Sequence, residues 1–123
     1  SIRFKTDVEP ITNAQSLVER LRGVRYHWKA DGRADVGLIA EEVEKVLPEL
    51  VVYEDDGTTV RGLRYGPLVG VLVEALKAQQ DEIAEADETI ATQRAEIDTL
   101  SKRLDRLESL VQSMQEADEA SAQ

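Results

Sequence analysis

Apolar residues recur every seven positions through the second half of the chain, and this period constrains the fold more than any other feature. The two resulting series occupy heptad positions a and d: Leu76, Ile83, Ile90, Ile97, Leu104 and Val111 at a, and Gln79, Ala86, Gln93, Leu100, Leu107 and Met114 at d. Val69 and Leu72 extend the register upstream. A narrow stripe with a strict seven-residue period predicts partner helices and a left-handed coiled coil. We therefore expect an oligomer that meets along these residues, in preference to a helix that packs only on its own chain.

The repeat alone leaves the number of helices open. Isoleucine at a with leucine at d favours two helices, whereas glutamine side chains at d can meet around a three-fold axis. In a parallel arrangement Arg103 attracts Glu108 of a neighbour and Glu82 repels Asp87. These charges, with the polar Gln79–Gln93 layers, predict a coil that is tight from Ile97 to Met114 and looser near Ile83.

Composition limits the possible partners. The 123 residues include 25 acidic and 15 basic side chains, which give a net charge of −10. An acidic surface disfavours nucleic acid and anionic membranes. The absence of cysteine excludes disulfides, thiolate zinc sites and thiol nucleophiles. No apolar run approaches the roughly 20 residues of a membrane span. We expect no cofactor and no metal site.

The residues before the heptads predict a small head of mixed structure. Residues 1–10 alternate as a short extended segment, and 14–21 carry the stripe of an amphipathic helix. A strand at 24–28, a helix at 38–47 and a hairpin of 50–53 with 58–65 follow. The long helix is predicted over 67–117. The fold class is therefore α+β, with a head at 1–66, a coiled-coil helix at 67–117 and a frayed acidic tail at 118–123.

Several conspicuous side chains receive structural interpretations. Tyr26 and Trp28 are expected in the core, and His27 on the outward side of the same strand. The acidic run at 54–56 is read as a solvated turn, because a calcium site needs more oxygen ligands in a defined loop. The acidic residues within 41–44 are read as one exposed helix face.

Four stretches, read together, resemble a known family. They are SIRFKTDVEPI at the start, LRGVRYHWKADG, GLIAEEVEKVLPELV, and LRYGPLVGVLVEALKAQQ leading into the heptads. Residues 1–82 thereby resemble the C-terminal intramolecular chaperone domain of phage tailspikes, tail fibres and endosialidases, a self-cleaving peptidase family. The family commonly has glutamine where this chain has Glu41.

The resemblance implies a fold, a partner and a location. Such domains form parallel trimeric coiled coils and align three copies of an upstream fibre or spike within the same polypeptide. They act on the virion tail during assembly in the host cytoplasm and are then released by cutting the bond before an N-terminal serine. A chain that starts at serine and not at methionine fits the released product.

The resemblance also implies an autocatalytic serine endopeptidase with a serine nucleophile and a lysine base. Lys5 matches the family lysine and Arg3 the family arginine. Ser1 stands four residues before Lys5, whereas the family spacing is five. Either Ser1 is the nucleophile with altered spacing, or the residue before it has that role. Two other functions stay open: a non-cleaving trimerisation tip of a fibre, and a processing domain of a membrane-tethered regulator.

Overall fold

The computed structural model describes residues 1–122, which form two compact units, one running Ser1–Asp81 and the other beginning at Glu82. In chain order, the elements are a 3₁₀ turn at Ile2–Phe4, α1 (Ala14–Glu19), β1 (Val24–His27), β2 (Ala34–Gly37), α2 (Ala40–Glu44), a 3₁₀ turn at Pro48–Leu50, β3 (Val51–Tyr53), β4 (Val60–Leu63) and α3 (Tyr65–Ser121). The predicted α+β class, with a long C-terminal helix, is confirmed.

The first hairpin pairs β1 with β2 in antiparallel register, with Val24 opposite Gly37 and His27 opposite Ala34. The sequence analysis predicted β1 and missed β2, because alanine, aspartate and glycine are poor strand formers. Gly32 lies in the turn between the two strands and adopts the positive φ of +73° that the reversal requires. Pairing with β1 overrides the weak propensity of β2.

The second hairpin pairs β3 with β4, and the register shifts between Val52 and Tyr53. Gly57, at φ +74°, closes its turn, and the Glu54 N–H donates to the Thr59 carbonyl at 2.8 Å. The predicted hairpin is confirmed.

The core of the first unit is small and entirely apolar. It joins α1, α2 and the beginning of α3, with Val43 only 1% exposed. Its buried members are Ala14, Val43, Leu47, Leu50, Leu68, Val71 and Ala75. Because three of these seven residues belong to α3, the compact unit extends past the head boundary of residue 66 that secondary structure suggested.

α3 is longer than predicted at both ends. It begins at Tyr65, so Pro67 occupies the first turn, where no intrahelical N–H bond is lost. It continues through Ser121, because alanine and glutamate favour the helix. Residues 118–121 of the expected frayed tail are therefore helical, and Gln123 lies outside the described residues.

Two predictions about the head are wrong. Residues 2–4 of the predicted extended segment form a 3₁₀ turn instead, since the Ser1 carbonyl accepts the Phe4 N–H at 3.1 Å. Trp28 is 44% exposed and lies just beyond β1, so it is not a core residue. It packs edge-on against Tyr26, with ring centroids 5.2 Å apart. His27 is exposed, as predicted.

Candidate functional site

The N-terminal segment holds the two residues that the sequence analysis assigned to peptide cleavage. The Ser1 hydroxyl oxygen accepts a hydrogen bond from the Arg3 N–H at 3.3 Å and so caps the 3₁₀ turn. Lys5 follows that turn in extended conformation, and its own N–H donates to the Ile2 carbonyl at 3.1 Å. Local backbone bonding therefore sets the spacing between the two residues.

The side chains of Ser1 and Lys5 are not joined by a hydrogen bond. Both are exposed, and the Lys5 ammonium makes no ion pair within the part of the chain that the structure describes. A serine hydroxyl becomes a nucleophile only when a base within hydrogen-bond reach accepts its proton. In this conformation Lys5 is not placed to accept the proton of the Ser1 hydroxyl.

Apolar side chains around these residues are uncovered. Ile2 is 70% exposed, Phe4 80% and Val8 65%, and the Arg3 guanidinium lies 5.0 Å from the centroid of the Phe4 ring. Asp7 adopts a positive φ of 51°, which is uncommon for a residue other than glycine. The segment therefore presents an apolar surface and a tight local bend without burying any residue of its own.

The heptad stripe is also uncovered along the whole of α3. Its large apolar members range from 41% exposed at Leu72 to 65% at Leu76. The predicted interface residues Gln79, Ala86 and Gln93 are exposed as well. Every predicted interface residue is thus available on the helix surface, and the number of partner helices stays a prediction.

One apolar residue of this surface was missed. Leu110 is 57% exposed and stands at heptad position g, beside Val111 at a and Leu107 at d. The sequence already contained this signal, because Leu110 directly precedes the a residue Val111 and is apolar. Leu110 widens the apolar stripe near the C-terminal end beyond the a and d positions.

The beginning of α3 has two different faces. Leu68, Val71 and Ala75 are buried against the head. In contrast, Val69 at a is 58% exposed and Leu72 at d is 41% exposed. The head therefore packs on the g and c side of the helix and leaves the a and d side free.

Tyr65 connects the helix to the hairpin. Its hydroxyl oxygen accepts the Leu38 N–H at 3.1 Å, just after β2 ends. A Cβ added to Gly37 would stand 2.7 Å from that oxygen, so glycine is required for this close approach. The sequence showed Tyr65 only as part of the family-like stretch LRYGPLVGVLVEALKAQQ, and this contact was not predicted.

Acidic residues of the head serve local structure. Asp35 accepts from the Val36 N–H at 2.8 Å and the Trp28 indole N–H at 3.0 Å, and these bonds lower its pKa. Hydrogen bonds from the side chain and N–H of Thr59 and from the Thr58 N–H hold the pKa of Asp56 at about 2. The acidic turn is thus stabilised internally.

The acidic face of α2 is not simply solvated. Glu42 pairs with the Arg22 guanidinium at 2.7 Å, and this contact raises the pKa of Arg22. Glu44 accepts from the Tyr53 hydroxyl at 2.7 Å, which raises the pKa of Tyr53. α2 is therefore tied through its carboxylates to the chain before and after it.

Within residues 1–122, no three acidic, histidine or cysteine side chains are grouped so that they could hold a metal ion. None of the helices in this range is both long enough and apolar enough to cross a membrane.

Comparison with known proteins adds an independent observation. Residues 1–52 match the sequence profile of a family described as "chaperone of endosialidase". This match covers the N-terminal turn, both strands of the first hairpin and α2, and it includes Ser1 and Lys5.

Similarity to curated proteins extends farther along the chain. The long tail fiber protein Gp37 of Enterobacteria phage K3 is 34% identical over 94 residues, which are 70% of this chain and 8% of that protein. Gp37 of Salmonella phage S16 is 33% identical over 92 residues, 68% of this chain and 12% of that protein. Gp37 of Escherichia phage AR1 is 32% identical over 83 residues, which are 61% of this chain and 8% of that protein. The chain thus spans only about a tenth of the length of these relatives.

Proposed function

We propose that this chain, whose residues 1–52 match the chaperone-of-endosialidase family and which is similar to phage tail fibre proteins, assembles a phage tail fibre as an intramolecular chaperone. It forms a parallel homotrimer through α3 and aligns the upstream parts of the same three polypeptides. It is then released by serine–lysine autoproteolysis near its N-terminus. The observation that carries the proposal is the exposed heptad stripe on a helix that begins inside the family-like unit.

Trimerisation supplies what an intertwined fibre needs. Chains with many long-range contacts fold slowly and misalign easily. A coiled coil that holds three chains together raises the effective concentration at which their upstream shaft segments meet. Leu110 supports three helices over two, since an apolar g residue widens the stripe past the narrow seam of a dimer.

The head leaves the contact surface of the helix free. It buries Leu68 and Val71 on one side of α3, while Val69 and Leu72 remain exposed on the other. A partner helix can therefore reach the a and d positions without displacing the head from its own chain.

Cleavage uses the N-terminal segment. The serine hydroxyl attacks the carbonyl carbon of the bond to be cut, and Lys5 accepts the hydroxyl proton and returns a proton to the leaving nitrogen. Water then hydrolyses the ester. Because burial lowers the pKa of a lysine, the reaction requires assembly to cover the exposed Lys5. The uncovered Ile2 and Phe4 are apolar surfaces that the assembled upstream shaft would bury.

A fusion of this chain to the C-terminal end of a fibre shaft tests both the proposed trimerisation and the proposed cleavage. We expect the fusion to form soluble trimers and to be cut either before Ser1 or one residue upstream, as read by native mass and by the N-terminus of the product. Lys5→Ala abolishes cutting and leaves the trimer intact. Lys29→Ala, at another exposed lysine of the head, is the matched control and cuts normally.

The position of the cut assigns the nucleophile. Counted back from Lys5, the family spacing places it one residue before Ser1. Ser1→Ala therefore blocks cutting if Ser1 is the nucleophile and leaves it unchanged if the preceding residue has that role. An uncut trimer that retains Lys5 and carries serine at both positions contradicts autoproteolysis.

A non-cleaving trimerisation tip is the second candidate function. It is favoured by the lack of a hydrogen bond between Ser1 and Lys5 and by the exposure of both side chains. In this case the fusion assembles into trimers and stays full length, and Lys5→Ala changes nothing.

A further inference from the structure

The head carries an apolar groove of about 560 Å³ beside the first turns of α3. The first hairpin and α1 form one side of the groove and α3 the other. The side chains that define it, which we call the head groove, include Val18, Val36, Leu38, Tyr65, Leu68 and Leu72. Val36 is 60% exposed and Tyr65 48%, so the groove is open in the isolated chain.

The heptad register places the head groove next to a neighbouring helix. Leu68 occupies position g, and in a parallel coiled coil a g residue lies beside the e residue five positions later in the neighbouring chain. The neighbour's residue opposite Leu68 is therefore Val73. Leu72, at d, extends the groove to the centre of the same interface.

Val73 is the exception among the e positions of α3. It is 46% exposed and apolar, although it contributes neither to the a and d stripe nor to the core. The later e positions are polar or charged: Gln80, Asp87, Arg94, Ser101, Glu108 and Gln115. Val73 is therefore the one large apolar e residue of α3. It lies level with Leu68 of the neighbouring chain, the g residue that lines the head groove.

Two glycines make the surface around Val73 smooth. Gly66 at e and Gly70 at b lie on the same side of α3, and a Cβ added to either would meet nothing within 4 Å in its own chain. Glycine in a helix is unfavourable relative to alanine. Packing within the chain gives no reason for glycine here, whereas close approach of another chain does.

We propose that Val73 of each copy inserts into the head groove of the next copy, so that every head contacts two helices, its own and a neighbour's. The occupant of the groove is a second copy of this chain. The inference rests on the proposed parallel trimer and adds to it a contact outside the coiled-coil seam. Three such contacts close a ring around the three-fold axis.

Thiol cross-linking tests the contact, because the chain contains no cysteine of its own. Val36→Cys and Val73→Cys are prepared as separate variants with different affinity tags and are co-expressed as the full chain. A short bismaleimide is expected to link one chain of each kind. Neither variant alone is expected to cross-link, since Val36 and Val73 then have no thiol opposite them.

The molar mass of the same samples separates two kinds of failure. Trimers without a cross-link between the two variants overturn the contact and leave the proposed trimer standing. Cross-linking of the Val73→Cys variant with itself also overturns the contact, because Val73 then faces its counterparts. Monomers overturn the proposed trimer and the contact with it.

A charge substitution provides a second measurement. Val73→Glu is expected to lower the midpoint of thermal dissociation of the trimer, because it places a carboxylate in an apolar groove. Gln80→Glu adds the same charge at the next e position, beyond the head groove, and should leave the midpoint nearly unchanged. Equal effects of the two substitutions contradict the proposed contact.

Discussion

The first turns of α3 and the remainder of the helix share one heptad repeat but receive different support from their own chain. From Tyr65 to Asp81, the helix buries Leu68, Val71 and Ala75 in the core of its unit. From Glu82 onward, every described residue is exposed. The early part thus has a packed face and an open face, whereas the later part has only an open stripe.

This difference separates two sources of stability. Most helical stability in proteins comes from packing of an apolar face, since helix formation in isolation is only marginally favourable. The early turns obtain that packing from the head. The later turns have only short-range support, such as the exposed Lys102–Asp98 ion pair at 3.0 Å, which contributes little. The proposed trimer predicts that packing against other chains stabilises these turns.

The largest expected effect is on the part of the helix that its own chain leaves uncovered. Leu107→Asp places a charge in the stripe, and burial of an unpaired charge costs several kcal/mol per ion. We expect the trimer to dissociate and the helix after Glu82 to lose much of its circular dichroism signal at 222 nm. Light scattering measures the mass of the complex.

Ser109→Asp is the matched control for this substitution. It adds the same charge two residues later, at position f on the outer side of the helix, and should preserve the trimer. A trimeric Leu107→Asp variant would contradict the assignment of the stripe as the interface.

The second effect is confined to the head. Gly37→Ala puts a methyl group 2.7 Å from the Tyr65 hydroxyl oxygen, and overpacking of this kind costs about 1–3 kcal/mol. Tyr65→Phe removes that oxygen and leaves the Leu38 N–H without its partner, at a cost of about 1 kcal/mol. In the Tyr65→Phe background, Gly37→Ala should be less harmful.

Urea unfolding followed by the fluorescence of Trp28 measures this coupling, since Trp28 is the only tryptophan and lies in the head. We expect a favourable coupling free energy of about 0.5–3 kcal/mol between the two substitutions. Additive effects would show that the hydroxyl does not restrict position 37. The coiled-coil seam should be unaffected by either change.

The sequence predicted the helices well because their apolar periods are strong. α1, α3 and the second hairpin follow from the spacing of apolar residues and from the turn at Gly57. β2 could not be predicted, because its residues are weak strand formers that depend on pairing with β1. Trp28 was misplaced since alternation identifies a face but not where the strand ends.

The candidate site was predictable only in part. The a and d residues were predicted from the seven-residue spacing, whereas the pair Ser1–Lys5 was predicted from the family resemblance alone, and its role stays a prediction. Leu110 was missed because only the a and d positions were counted. The role of Tyr65 was missed because its hydrogen-bond partner, Leu38, is distant in the sequence. Contacts between elements that are far apart in the chain leave no periodic signal.

The smallest expected effect lies in the turn of the second hairpin. Hydrogen bonds from Thr59 and Thr58 lower the pKa of Asp56 from the ordinary 3.8 to about 2. A carboxyl group whose pKa is lower in the folded state than in the unfolded state stabilises the folded state at pH values above its unfolded-state pKa. This contribution disappears as the pH falls through the folded-state pKa. It should therefore be complete above about pH 4 and absent below about pH 2.

Asp56→Asn tests this pH dependence, because the amide keeps the shape of the side chain and cannot ionise. We expect its urea midpoint to lie slightly below that of the unmodified protein at pH 7 and the difference to shrink between about pH 4 and pH 2. Asp55→Asn is the control, since the Asp55 carboxylate makes none of these bonds. All carboxyl groups other than those of Asp55 and Asp56 are common to the three proteins, so a difference that stayed constant down to pH 2 would show that Asp56 stabilises the turn without its charge.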